Sequence, residues 1–273
     1  MRKNNAILLS TPYILWMLAF TLIPLGVVAY YALTDPATGA LSLGNVQDLS
    51  MYWGVLWESI LYSLISAFIC LLLGYPVAYF IAHRGPVAQK ILYMLVMLPM
   101  CMSFLLRTLA WVGLLQDTGI INTLLGKLGL GPVRLIRTSG AVILGMVYNY
   151  LPYMILPLYA IIVKIDSRLI EAAEDLGCNS FQVFSRVILP LSMPGILSGI
   201  TMVFVPAVST FYISQKLGGI ETMLIGDVIE RQFKQAYNPN VGAALSLVLM
   251  ALVFICTGIM NRLGGDEEGG VVV

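Results

Sequence analysis

Five stretches of the chain contain no Asp, Glu, Lys or Arg: residues 4–34, 59–82, 138–163, 187–215 and 235–261. A sixth, 91–115, is interrupted only by Arg107. Crossing the hydrocarbon core of a bilayer, ~30 Å thick, takes about 20 helical residues, so each run is long enough for one span. Backbone exposed to lipid must satisfy its own hydrogen bonds, which leaves helices as the spanning structure for runs of this length. The expected fold class is therefore an all-α polytopic membrane protein. It is a single transmembrane domain over residues 1–273 with six spans, at about 10–34, 59–82, 91–115, 138–163, 190–215 and 240–262. Composition agrees. Hydrophobic residues make up 59% of the 273 and charged residues only 11%, against roughly a quarter charged in a soluble domain.

The same numbers exclude several functions. A net charge of +1 offers no basic face to a nucleic acid, so no nucleic-acid partner is expected. The cysteines, Cys70, Cys101, Cys178 and Cys256, form no CxxC pair, and His83 is the only histidine. They are expected as small packed residues, with no metal and no cofactor in this chain. A phosphate-binding GxxxxGK[ST] loop is absent, so energy from ATP would have to enter through another subunit. Arg2 and Lys3 precede a long apolar run without a short h-region or A-x-A site, which favours a retained first span over a cleaved signal.

Orientation follows from basic residues in short loops. The loop after the first run, 35–58, has none, whereas the one after the second has Arg84 and Lys90. Both termini and the loop at about 164–190 then face the cytoplasm. The glycine-containing connection from Asp117 to Arg137 is expected outside with a short surface helix, and the tail, about 264–273, as disordered. Acidic residues of the outer loops, among them Asp227 and Glu230, could receive a cationic substrate or a binding protein, or are simply the charges of a solvated loop.

Between the fourth and fifth runs the pattern changes. Residues 168–199, RLIEAAEDLGCNSFQVFSRVILPLSMPGILSG, alternate polar and apolar residues at helical spacing. Glu171 and Asp175, four apart, lie on one helix face. Ala172 and Ala173 are small enough for another surface to approach the backbone. Gly177 permits a turn between two short helices, and Phe181 and Phe184 would anchor the second. An amphipathic helix lying on lipid is the competing explanation, but its acidic face suits anionic lipid poorly. Gly195 and Gly199 form a GxxxG pair and suggest a close helix contact.

Two intramembrane features remain. Arg107 either gates or supports a path, or snorkels: ~17 residues beyond Lys90 at ~1.5 Å each places it near the outer interface. Tyr148, Asn149, Tyr150 and Pro152 could offer oxygen acceptors, ring faces and a freed carbonyl to a cation, or simply pack and kink the helix.

The spacing Glu171-Ala172-Ala173, Gly177, Leu189-Pro190 resembles the EAA signature of bacterial ABC-importer permeases. Segments 98–111, 147–160, 164–177 and 216–233 further resemble the permeases of spermidine/putrescine ABC transporters, in particular their first permease subunit. The resemblance implies a type I (MetI-like) six-span permease that pairs with a second homologous permease subunit. It implies a cytoplasmic ATPase dimer, which binds the ATP, and an extracytoplasmic polyamine-binding protein that delivers cargo. Glu171, Ala172, Ala173, Asp175, Gly177 and Phe181 would then form the ATPase-coupling element, and this chain would be no enzyme. A permease for another small solute, such as iron or thiamine, and an integral-membrane enzyme are the alternatives.

Overall fold

The computed structural model describes residues 2–35, 39, 40, 42, 44, 48–129, 131, 133–219 and 222–264. Its order is α1 (Arg2–Leu33), a 3₁₀ turn (Asp48–Tyr52), α2 (Trp53–Ala82), α3 (Pro86–Met97), a 3₁₀ turn (Leu98–Cys101), α4 (Phe104–Leu115) and α5 (Ile120–Lys127). There follow α6 (Ser139–Ile162), α7 (Ser167–Asp175), α8 (Ser180–Leu191), α9 (Met193–Val208), α10 (Tyr212–Leu217), α11 (Ile225–Lys234) and α12 (Pro239–Gly264). Among the described residues, five segments are long and apolar enough to cross a membrane: Thr11–Leu33, Leu49–Ala82, Phe104–Lys127, Ser139–Ile162 and Pro239–Met260. The pair α8 and α9, bent by 64°, makes a sixth if it counts as one span. The expected disordered tail, about 264–273, lies outside the described residues except for Gly264, the last residue of α12.

The run at 91–115 is not the single helix expected. Pro99 contributes no N–H, the chain tightens into a 3₁₀ turn, and Met102 and Ser103 are extended (ψ 148° and 130°) before α4 begins. The apolar segment long enough to cross therefore starts at Phe104. The short helix expected in the following connection is α5.

The chain divides into two compact units, Met1–Gly54 with Val228–Leu252, and Val55–Asp227 with Val253–Val273. In the first, the buried Asn240 side chain donates to the carbonyls of Tyr31 (2.9 Å) and Thr34 (2.7 Å), tying the end of α1 to the start of α12. The Gln232 amide donates to the Tyr52 hydroxyl at 3.1 Å.

The second unit is built around α6, where Met146, Met154 and Leu158 are fully buried. Glycine makes the close approaches possible, because in lipid it is packing rather than hydrophobic drive that holds helices together. Gly145 admits Ile213 and Leu217 of α10, and Gly195 and Gly199 admit Pro157 and Met154 of α6 to α9. A side chain at Gly195 would meet the Pro157 carbonyl oxygen at 3.1 Å, an atom that cannot swing away. Gly195→Leu should therefore destabilise the unit by about 1–3 kcal/mol. A lowered melting temperature of the detergent-solubilised protein is the check, and an unchanged one would contradict the packing.

Asp227 is not the solvated loop residue expected. It is 5% exposed, and its carboxylate accepts the Leu224 amide at 2.8 Å beside the start of α11. Nearby, the Ile225 amide donates to the Ser59 hydroxyl of α2 at 2.8 Å.

Candidate functional site

The loop between α6 and α9 is closed at each joint by local chemistry. The Asp166 side chain caps α7, accepting the Arg168 amide at 3.0 Å. At the other end Gly177 is left-handed, with φ +86°. That geometry lets the Gly177 amide reach the Glu174 carbonyl (2.8 Å) and the Cys178 amide the Ala173 carbonyl (3.0 Å), the paired bonds of a Schellman stop. A capping box then starts α8: the Asn179 side chain accepts the Gln182 amide, and the Gln182 side chain accepts the Asn179 amide, both at 2.9 Å. The turn between α7 and α8 is thus a built corner.

The corner presents an apolar and acidic surface. Leu176 is 86% exposed and Phe181 76%, while Glu171, Ala172 and Asp175 are also exposed. Two expectations need correcting. Phe181 anchors nothing within its own chain; Phe184 does, standing edge-on to Tyr75 with ring centroids 5.5 Å apart. Ala173 does not face outward, because it is buried against Val183 and Ile188. Its small size serves the packing of α7 on α8, and the face left to another surface is Ala172 with its acidic and apolar neighbours.

Behind the corner the helix loosens into a π turn at Phe184–Ile188 and bends before α9. The Tyr75 hydroxyl is 2.9 Å from that of Ser192, at the bend. Displacement of the corner would therefore be carried to α2 through Phe184–Tyr75 and to α9 through the bend.

A second polar group lies among α4, α6 and α10. Trp111 of α4 meets Tyr148 of α6 edge-on at 5.3 Å, and Phe104 meets Tyr212 of α10 at 6.1 Å. Arg107 is only 7% exposed, and its Nε and Nη1 are buried without a hydrogen-bond partner. It does not snorkel. The distance counted from Lys90 assumed one unbroken helix, and the break at 98–103 removes that premise.

Asn149 is 1% exposed; its amide donates to the Gly145 carbonyl at 2.9 Å, and its Oδ1 has no partner. The Tyr150 hydroxyl donates to the Pro206 carbonyl at 3.3 Å and lies within electrostatic range of Arg107. Pro152, buried in α6, leaves the Tyr148 carbonyl without its helical donor. Tyr150 and Arg107 are thus neighbours, Tyr148 stands against Trp111 one turn beyond Arg107, and Asn149 and Pro152 lie buried on α6. Sequence reasoning missed Thr108, Thr210 and Ser214, all buried here. Short hydroxyl residues at the ends of apolar runs were the available signal.

Comparison with known proteins fits this architecture. The family described as binding-protein-dependent transport system inner membrane component matches residues 73–264. A Haemophilus influenzae protein named spermidine/putrescine transport system permease protein PotB is 42% identical over 260 residues, 91% of each chain. The Escherichia coli (strain K12) protein of that name is 41% identical over 201 residues, 73% of each chain. Among solved structures, a bacterial ABC transporter involved in the import of the acidic polysaccharide alginate superposes with TM-score 0.77 at 19% identity, covering 97% of this chain and 96% of that one. An inward-facing methionine ABC transporter gives 0.59 at 18% identity, covering 79% and 96%.

The fold is that of an ABC-importer permease, a multi-pass component of the inner membrane. The chain belongs to the binding-protein-dependent transport system inner membrane component family.

Proposed function

We propose that this chain is one of two permease subunits of an ATP-driven polyamine importer, and that it forms half of the translocation path. The observation that carries the cargo assignment is the 42% identity to a spermidine/putrescine permease across 91% of both chains. A cytoplasmic ATPase dimer binds and hydrolyses ATP, and an extracytoplasmic binding protein delivers spermidine or putrescine. Both termini and the corner formed by α7 and α8 lie on the cytoplasmic side. Glu171, Ala172, Asp175, Leu176 and Phe181 form the surface the ATPase grips, with Gly177 setting its geometry and Ala173 seating it on α8. ATPase closure moves that corner, and the π turn and bend pass the motion to α9.

Along the path, Asn149 Oδ1 and the Tyr148 carbonyl, which Pro152 deprives of its helical donor, are acceptors suited to an ammonium group. The aromatic faces of Tyr148 and Trp111 suit the methylene chain and charge of a polyamine. This chain forms and breaks no covalent bond.

The test is reconstitution. Proteoliposomes holding the two permeases and the ATPase, supplied with binding protein, should accumulate labelled spermidine or putrescine only when ATP is present. No accumulation by an assembly that still hydrolyses ATP in response to its binding protein would remove the polyamine assignment. A relative 29% identical over 263 residues is named only as an inner membrane ABC transporter permease, so another small solute is the reading that result would favour.

A further inference from the structure

Arg107 presents an electrostatic problem that the described residues of its own chain do not solve, since its Nε and Nη1 are buried without a partner. A buried guanidinium with unpaired donors costs several kcal/mol unless an anion meets it. Its own helix α4 and the helices packed on it, α5, α6 and α10, contain no aspartate or glutamate. On α10 the nearest charge has the same sign: Lys216 lies over the Tyr212 ring at 5.7 Å.

A second observation points to the same kind of ligand. Arg107 stands in the first turn of α4, whose N-cap, Ser103, makes no side-chain capping bond. Side chains on a helix lean toward its N-terminus. The guanidinium is therefore directed to the end where the helix dipole already favours negative charge.

The neighbouring surface indicates where that charge comes from. Leu106 is 61% and Leu109 45% exposed, Ala110 and Gly113 are exposed on the same helix, and a Cβ at Gly113 would meet nothing within 4 Å. This is an apolar helix face with room for another helix to approach. Lipid tails would cover it but bring no charge.

We propose that Arg107 and the open N-terminus of α4 form a carboxylate-binding site, filled by an aspartate or glutamate from a membrane-embedded helix of the second permease subunit. The inference rests on the two-permease reading above. It has a consequence for cargo: once paired, Arg107 no longer repels a polyamine passing Tyr148 and Asn149.

The test uses the assembled transporter and reads subunit pairing, which does not depend on the cargo. Arg107→Met should lower co-purification of the second permease subunit with this chain about tenfold, with membrane insertion of this chain unchanged. Arg107→Lys should keep a substantial part of it. In an Arg107→Glu background, each membrane-embedded acidic residue of the second subunit is replaced in turn by arginine, and one such swap should restore pairing. Full co-purification by Arg107→Met overturns the proposal. So does failure of every swap, or pairing of the unaltered subunits that requires added acetate or chloride, which would make the ligand a free anion. If a swap restores pairing while the wild-type transporter takes up no polyamine, only the cargo assignment fails.

Discussion

Gly177→Val is expected to abolish ATP-driven uptake while the chain still inserts and folds in the membrane. The reason is backbone conformation rather than space. Gly177 is left-handed at φ +86°, and a Cβ there would meet nothing within 4 Å. A β-branched residue is strongly disfavoured at such φ, at about 1–3 kcal/mol. Relaxing to negative φ would break the paired bonds to Glu174 and Ala173 that stop α7. The corner would then lose the fixed angle that holds Phe181 and Leu176 beside Glu171. Because these residues are exposed, the cost falls on the shape of the loop and little of it on the buried core. Gly177→Asn is the informative control, since asparagine tolerates the left-handed region and should retain much of the uptake. Phe181→Asp isolates the other half of the site: it leaves the backbone alone, removes the exposed ring, and should uncouple ATP hydrolysis from uptake. Uptake and ATPase rates in proteoliposomes decide both cases. Wild-type uptake by Gly177→Val and Phe181→Asp alike would end the assignment of this corner as the coupling element.

Legibility of the sequence varied with the kind of physics involved. Spans were readable because a 20-residue run without charge has few fates in a bilayer: α6 lies within such a run, and α2 and α12 overlap most of theirs while extending past one end, to include Glu58 and Arg262. The corner was readable in part: Gly177 at the end of α7 marked the turn, whereas the capping box of Asn179 with Gln182 at the start of α8, an equally local signal, went unread. What failed depended on tertiary placement. Pro99 was visible, yet a proline inside an apolar run is compatible with a kink, and only the structure shows a restart at Phe104. That single break changed the meaning of Arg107 from an interfacial charge to a buried one. Ala173 and Ala172 are chemically identical neighbours, and which of them faces α8 depends on the crossing of two short helices. Asp227 shows the same limit. Its acidic surroundings suggested solvent, whereas three residues earlier the chain needed an acceptor for the Leu224 amide.

Asn149→Leu should separate stability from transport. Asn149 is buried with its Oδ1 unpartnered, and its amide donates to the carbonyl of Gly145 one turn earlier in the same helix. In a structural role, a buried acceptor without a donor is a defect. Replacing it with an apolar side chain of similar shape is then neutral or stabilising. In a transport role, the unpartnered oxygen is what a passing ammonium group requires, and removing it costs one hydrogen bond to a charged donor, about 1.5–3 kcal/mol. At about 1.4 kcal/mol per tenfold, uptake should fall roughly 10- to 100-fold. The melting temperature of the solubilised protein should hold or rise. Asn149→Asp places a negative charge where the cation is proposed to pass, so it should retain cargo interaction better than leucine does. Normal uptake by Asn149→Leu together with raised stability would identify Asn149 as an unsatisfied core residue and remove it from the path. Reduced uptake at unimpaired stability is the outcome that only a residue facing the cargo produces.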